Sequence, residues 1–288
     1  MKPNQPHIDL LDYSVSKESF TLIYNQELEL YSTTPVPNEE DLPGYYLSDA
    51  YISHTDSHQT LFDKLYQQIK KFTLLSKVKL IDSYKSPNRT LLDIGCGTGD
   101  FLAIAQSKGW QVVGVEPNEN ASKLAQTKLG SKVSIYENLD DLLEKKPLQL
   151  YSVITSWHVL EHVPNYDTYI AAIKDMLDPN GILIVAVPNF NAYDAKHYGK
   201  FWAAFDVPRH LWHFSQQSIQ IIFSHHKMKV VTTKPMYFDS FYVSLLSEKY
   251  KNSKLGFLKA FWIGLVSNSI AIANNEYSSL IYVIQNEK

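Results

Sequence analysis

Residues 91–100 read LLDIGCGTGD, an apolar strand pattern that runs into Gly95, Gly97 and Gly99 and then into a helical pattern starting at Asp100 or Phe101. Glycine lets a backbone turn sharply and approach a ligand with no Cβ in the way, and the first N–H groups of the following helix lack partners inside it. Twenty-one residues after Gly95, Glu116 closes the next strand pattern, QVVGVE. A carboxylate there can accept hydrogen bonds from both hydroxyls of a ribose. Together these features specify a nucleoside-bearing cofactor. The dinucleotide pattern G-x-G-x-x-G would need glycine at position 100, where this chain has Asp100, with Gly99 one place early. A carboxylate at the helix start repels a pyrophosphate. Asp93 at the strand end, by contrast, suits a positively charged α-amino group, directly or through a water.

Outward from this stretch, strand-like and helical patterns alternate. TLLDIG is followed by a helix over 100–108, then QVVGVE, a helix over 119–129, KVSIYE, YSVITS and GILIVAVPN. Such alternation predicts an α/β fold of three layers, with a mostly parallel sheet covered on both faces and entered through right-handed crossovers. Before Asn88, FTLIYNQELELYSTTPVPN predicts a short strand pair ended by Pro35 and Pro37, and apolar residues at Leu61, Leu65, Ile69, Phe72, Leu75 and Val78 have helical spacing. After Pro188 an aromatic-rich loop leads to a helix near SQQSIQIIFSHHK. The strand patterns MKVVTTKPMYF and SSLIYVIQ then enclose a mixed segment at 239–275.

The 288 residues are 44% hydrophobic and 20% charged, enough for one substantial core with a small appended module. A net charge of -3 and the lack of a basic patch give no reason to expect nucleic-acid binding. Cys96 is the sole cysteine, which excludes internal disulfides and multi-thiolate zinc sites and makes a reducing cytoplasm the expected compartment. The longest apolar stretch, LGFLKAFWIGLVSNSIAIA, is broken by Lys259, Ser267, Asn268 and Ser269, so a partly buried helix is expected rather than a membrane span. Peripheral contact with a membrane is left open, and nothing in the sequence fixes the oligomeric state.

LLDIGCGTGD, followed by VVGVEPN, YENLDDL, VITSWHVLEHVPN and LDPNGILIVAVPN, resembles the class I S-adenosylmethionine-dependent methyltransferases from Arg89 onward. The resemblance implies a Rossmann-like, seven-stranded sheet with an antiparallel last strand, and S-adenosylmethionine as cofactor with S-adenosylhomocysteine as product. It places Asp93, Gly95 and Gly97 along the methionine portion and Glu116 at the ribose. Asn138 and the Leu139 N–H fall at the adenine, and Ser156 and Trp157 near the sulfonium. Ser152 replaces a carboxylate often found early in the fourth strand. The first fifty residues resemble a bacterial methyltransferase subgroup with a small zinc-binding module, but Tyr24 and Glu27 stand at the cysteine-pair positions. A metal-free, zinc-ribbon-like cap over 1–56 is therefore expected, then a connecting helix over 57–88 and the cofactor-binding domain over 89–288, with inserts 189–214 and 239–275 roofing the acceptor.

In that roof, Arg209, His210, Trp212 and His213 could orient an anionic or hydroxyl-bearing acceptor, with one histidine taking its proton; aromatic packing and capping explain the same run equally well. Tyr51 and His54, beside Tyr45 and Tyr46, could close over the cofactor. WHVLEH at 157–162 has the spacing H-x-x-E-H of certain zinc peptidases, yet that chemistry requires a long helix and a third ligand. This stretch also resembles the ubiquinone-pathway O-methyltransferases, whose Glu, Glu, His cation set would fall on His158, Glu161 and His162. Histidine in the first place disfavours magnesium, so no metal is expected; Glu161 and His162 are expected to be structural and His158 the base. No Asn-Pro-Pro-Tyr motif follows the fourth strand, and Cys96 lies in the glycine turn, which disfavours amino methylation of that type and cysteine-assisted carbon methylation. A small-molecule, sugar or lipid-like oxygen acceptor is the leading reading. A nicotinamide-dependent oxidoreductase and a non-catalytic cofactor-binding homologue are the alternatives.

Overall fold

A computed structural model describes residues 6–38, 40–46, 61–84 and 88–287. The chain opens with β1 (His7–Leu11), β2 (Ser19–Asn25) and β3 (Leu30–Thr34), an antiparallel meander. The long helix α1 (Leu61–Asp82) leads into β4 (Thr90–Ile94), α2 (Asp100–Ser107), β5 (Gln111–Val115), α3 (Glu119–Leu129) and β6 (Ile135–Tyr136). Next come α4 (Leu139–Lys145), β7 (Tyr151–Trp157), α5 (Tyr166–Met176), β8 (Leu177–Pro188) and α6 (Tyr193–Tyr198). The chain finishes with β9 (Trp212–His213), α7 (Gln216–His225), β10 (Met228–Pro235), α8 (Asp239–Tyr250), α9 (Gly256–Asn274) and β11 (Ser279–Asn286).

Seven strands form the central sheet in the order β10-β11-β8-β7-β4-β5-β6, with β11 antiparallel to both of its neighbours. This is the expected α/β sheet with its reversed last strand. Alternate residues along the inner strands serve opposite faces, and both faces are apolar because helices cover both. Leu91, Val153 and Ile182 pack with Val78, Ile81, Phe101 and Leu102 on one side. Leu92, Ile154 and Leu183 pack with Ile170, Ile173, Ile219 and Phe223 on the other. The chain runs outward from β4 through β5 to β6 and then returns to β7 beside β4. The order reverses between β4 and β7, so a crevice opens beyond their carboxyl ends.

The short sheet differs from the expected strand pair in two ways. β1 adds a third strand, and β9, from inside the 189–214 insert, adds a fourth by pairing Tyr31 with His213 and Ser32 with Trp212. Phe20, Leu22 and Tyr31 share one buried cluster with Phe190, Trp202, Phe205 and Val243, which fuses the N-terminal strands, the insert and α8 into one roof. The segment 239–275 is a helical hairpin of α8 and α9. α9 is partly buried, as expected, with 22% of its apolar stretch covered.

Candidate active site

The glycine turn is shaped by contacts that tolerate no side chain at one position and leave room at another. Gly95 and Gly97 have φ of 73° and 54°, the left-handed region that penalises every residue with a Cβ. A Cβ on Gly95 would fall 2.4 Å from a methyl of Val159, whereas one on Gly97 would meet nothing within 4 Å among the described residues. The open position at Gly97 lies where a ligand can approach the backbone. Its N–H donates to Glu116 Oε2 at 2.8 Å, and Asn118 N–H donates to Oε1 at 2.9 Å. Glu116 is thereby aimed across the turn. At the start of α2, Asp100 is held between Lys70, at 2.7 Å, and Lys128. Burial alone would raise its pKa, but these lysines override that and hold it below the usual carboxylate range.

Asp93 is buried at the end of β4, with Thr155 Oγ1 donating to Oδ1 at 2.6 Å. Burial lifts its pKa to about 7, more than Thr155 and the cation of Lys77 pull it down. Lys77 reaches in from α1, half-buried, with Nζ 4.2 Å from the centre of the Trp157 ring. Its own pKa is lowered by burial, against the pull of Asp93 and Asp239. Trp157 stands edge-on to Phe101 at 5.7 Å, its Nε1 buried without a partner among the described residues. Ser156, one place earlier on β7, faces the opposite side of the sheet, where Oγ pairs with Tyr169 Oη at 2.9 Å. Strand alternation therefore removes the Ser156 side chain from the expected sulfonium position. Asn138 caps α4, its side chain accepting from Asp141 N–H at 2.8 Å, and Leu139 begins that helix.

WHVLEH contains only a 3-10 turn, Leu160–His162, so the long helix required by the peptidase reading is missing there. His158 has φ of 56° and donates its N–H to Ala186 O at 2.9 Å, which fixes the ring at the end of β7. Nδ1 lies 3.2 Å from Glu161 Oε1 and Nε2 lies 3.3 Å from Asp239 Oδ2. Burial works to lower the His158 pKa, but hydrogen bonds to Asp239 and Glu161 prevail and raise it to about 9. At neutral pH the ring is an imidazolium, not the ready base expected. Asp239, the first residue of α8, was not singled out from sequence, and neither was Lys77. Lys77 lies on a separate helix and Asp239 far along the chain, and only the packing of α1 and α8 brings them to the glycine turn.

Glu161, His162 and His210 each place a donor atom within 4.8 Å of one another. The converging trio thus contains His210 in place of His158. A carboxylate with two imidazoles is a donor set for zinc-like ions rather than magnesium. Burial and the neighbouring His210 push the His162 pKa down to about 4, so its ring is neutral. His162 Nδ1 lies 3.0 Å from Arg209 O and 3.1 Å from Tyr46 Oη.

The other roof residues are engaged internally. Arg209 is buried, bonded through Nη2 and Nε to Asp206 at 2.6 and 2.9 Å, through Nη2 to Asp12 at 3.3 Å and through Nη1 to Tyr45 O at 3.0 Å. His210 Nδ1 donates to Ala204 O at 2.9 Å. His213 Nε2 pairs with Thr33 Oγ1 at 3.0 Å, and burial pushes its pKa well down. Trp212 Nε1 donates to Val163 O at 2.9 Å, and its ring stands on Tyr166. β9 zips onto β3, and each of these side chains finds an internal partner. Tyr51 and His54, with the cap positions Asp56 and Ser57, lie outside the described residues.

A family model described as a methyltransferase domain matches residues 58–233, more than half of the chain. This chain belongs to the methyltransferase domain family. A ubiquinone biosynthesis O-methyltransferase of Bradyrhizobium diazoefficiens is 32% identical over 104 residues, covering 35% of this chain and 40% of that protein. An uncharacterized protein of Haemophilus influenzae is 32% identical over 123 residues, or 40% of this chain and 46% of that protein. The chain thus matches less than half the length of these curated relatives. Magnesium protoporphyrin IX methyltransferase from Synechocystis PCC 6803, solved with bound S-adenosylhomocysteine, superimposes with a TM-score of 0.56 at 15% identity over 86% of this chain and 100% of that one. A cyclopropane synthase from Mycobacterium tuberculosis gives 0.51 at 15% identity over 87% and 99%. These two share the fold, that of the class I, S-adenosylmethionine-dependent methyltransferases.

Proposed function

We propose that this protein transfers the methyl group of S-adenosylmethionine to an oxygen of a small-molecule, sugar or lipid-like acceptor. The observation that carries the reading is the Gly97–Glu116 cradle. A carboxylate at the end of β5 is aimed across a glycine whose missing Cβ leaves room for a ligand. Glu116 accepts from the ribose hydroxyls, the Asp93 carboxylate faces the α-amino cation, and Asn138 with the Leu139 N–H borders the adenine. Lys77 and Trp157 line the methionine end. When bound, the cofactor supplies an electrophilic methyl group, so the chain needs chiefly to align the acceptor and exclude water.

His158 is the residue placed to receive the acceptor's proton. Glu161 and Asp239 hold its ring from both nitrogens, so it must first give up the proton that raises its pKa to about 9. Its base form therefore grows with pH up to that value. Glu161 and His162 support it from behind. Residues 1–56, 189–214 and 239–275 act as the acceptor roof, above a connecting segment and domain at 57–88 and 89–288, and the protein works in a reducing cytoplasm. Radiolabelled methyl transfer to a panel of phenolic, sugar and hydroxylated lipid acceptors tests the reading, with S-adenosylhomocysteine binding measured on the same preparation. Labelled ether products support it. Label only on nitrogen or carbon acceptors defeats the oxygen assignment, and silence despite tight product binding favours a non-catalytic protein.

A further inference from the structure

α9 is amphipathic in the reverse sense of a helix in a water-soluble protein. The face it turns inward carries Ala260, Gly264, Ser267 and Ala271, all buried. Gly264 lets α8 approach so closely that a Cβ there would sit 2.6 Å from the Phe241 ring, and Ser267 Oγ donates to Asp194 at 2.6 Å. Small residues have taken the inside. The large ones, Leu258, Phe261, Trp262, Leu265 and Ile272, fall on one outward stripe by their spacing and are 40–75% exposed. Exposed Ser269 interrupts the stripe before Ile272, but Leu258, Phe261, Trp262 and Leu265 follow one another turn by turn, which singly exposed apolar residues do not.

The apolar surface also extends toward the active site. Phe261 lies 5.8 Å from the Phe241 ring of α8, and Phe238 meets Phe72 of α1 at 5.9 Å. Phe72 is 60% exposed. Asp239, next to Phe238, is the residue that holds His158. The apolar band therefore reaches the rim of the cleft.

Charge identifies what covers the band. Between residues 249 and 275 the charged side chains are Lys249, Lys251, Lys254 and Lys259, with no carboxylate, in a chain whose net charge is -3. All four lysines are exposed and cluster at the α8–α9 turn and the first turn of α9. An apolar face with a tryptophan, flanked by lysines and anchored on its other side, is the pattern of a helix that lies in a bilayer interface. Two copies meeting through this face would bring like charges together, whereas an anionic bilayer offers the opposite charge. By length and hydropathy alone α9 could cross a membrane, but its inner face is fixed to α8 and Asp194, which holds it parallel to the protein surface.

We propose that the outward face of α9, with the lysines at its start, docks this protein onto an anionic lipid bilayer and presents the mouth of the cleft to the interface. The surface binds lipid whether or not the chain transfers a methyl group, so its test is independent of that activity. Flotation of the full chain with vesicles of phosphatidylcholine and phosphatidylglycerol in roughly a two-to-one ratio is the direct experiment. Strong flotation is expected at low salt, with at least about a tenfold weaker partition onto pure phosphatidylcholine. The double variant F261S/W262S should lose at least about tenfold in binding, and K251E/K254E/K259E should lose the preference for anionic lipid. Both should keep the wild-type melting temperature within about 2 °C, because the altered side chains are exposed. Failure of the wild type to float with anionic vesicles overturns the proposal. So does undiminished flotation of F261S/W262S, or a concentration-dependent dimer that this variant abolishes while vesicle binding is absent.

Discussion

Two clusters of charged and aromatic side chains sit at the carboxyl end of the sheet, and they are built to opposite rules. In the roof, Arg209 distributes its donors among Asp206, Asp12 and a carbonyl, and His210, Trp212 and His213 each reach an internal partner. In the cleft, Glu116 looks across an open glycine, burial lifts the Asp93 pKa to about 7 and Trp157 Nε1 has no partner among the described residues. The cluster that reads as more catalytic in sequence is fully used by folding, and the plainer one is poised for a ligand. A side chain's chemical capacity shows little until its partners are counted.

The sharpest way to break this contrast is Arg209→Ala. Removing the guanidinium takes from half-buried Asp206 its two bonds to that cation and leaves buried Asp12 with only its bonds from Ser14, Val15 and Ser16, and should cost about 3 kcal/mol of stability. Denaturant unfolding measures it. A loss below about 1 kcal/mol, with acceptor turnover abolished, would return Arg209 to the acceptor site. Gly97→Ala should do the reverse: about 1–2 kcal/mol of backbone strain from the left-handed φ, but at least a tenfold loss of S-adenosylhomocysteine affinity. Unchanged affinity would show that the cradle is not where the cofactor lies.

His158→Ala should lower kcat by about 10²–10⁴ if the ring takes the proton, with product affinity nearly constant. Asp239→Asn sharpens the test, since removing one carboxylate partner should move the rising limb of the rate, set near 9 by the His158 base, toward lower pH. A limb that stays in place would detach Asp239 from the site. In stability, the raised His158 value contributes fully below its ordinary 6.5 and is lost as pH rises through about 9. Asp93 has the same sign in a lower window: its pKa is raised from 3.8 to about 7, so its contribution is complete below 3.8 and fades as pH rises through 7. A cofactor ammonium selects the carboxylate form. Product affinity should therefore climb modestly across pH 7 and then level off, and this rise should vanish in Asp93→Asn.

The core of the fold was legible because its signals are local. Glycine at 95 and 97, the apolar runs on both sides and Glu116 lie within one strand–helix–strand unit, and the period of buried residues separates strand from helix. The pieces of the roof were legible but the strand that joins them was not, because β9 is two residues long and exists only by pairing with β3. The turning of Ser156 away from the cleft follows from strand alternation and was within reach of the sequence. Lys77 and Asp239 were not, since nothing local marks a lysine on a long helix or an aspartate starting another. α9 is the partly buried helix that its sequence predicts, but which face is buried depends on small residues fitting α8.

The central claim is that the cradle of Gly97, Glu116 and Asp93 takes S-adenosylmethionine rather than a nicotinamide dinucleotide. Calorimetric titration of the full chain with S-adenosylhomocysteine and with NAD, side by side, tests it most directly. Saturable one-to-one binding of S-adenosylhomocysteine, weakened at least tenfold in Gly97→Ala and accompanied by silence with NAD, is the result this account predicts. Binding of NAD alone would contradict it.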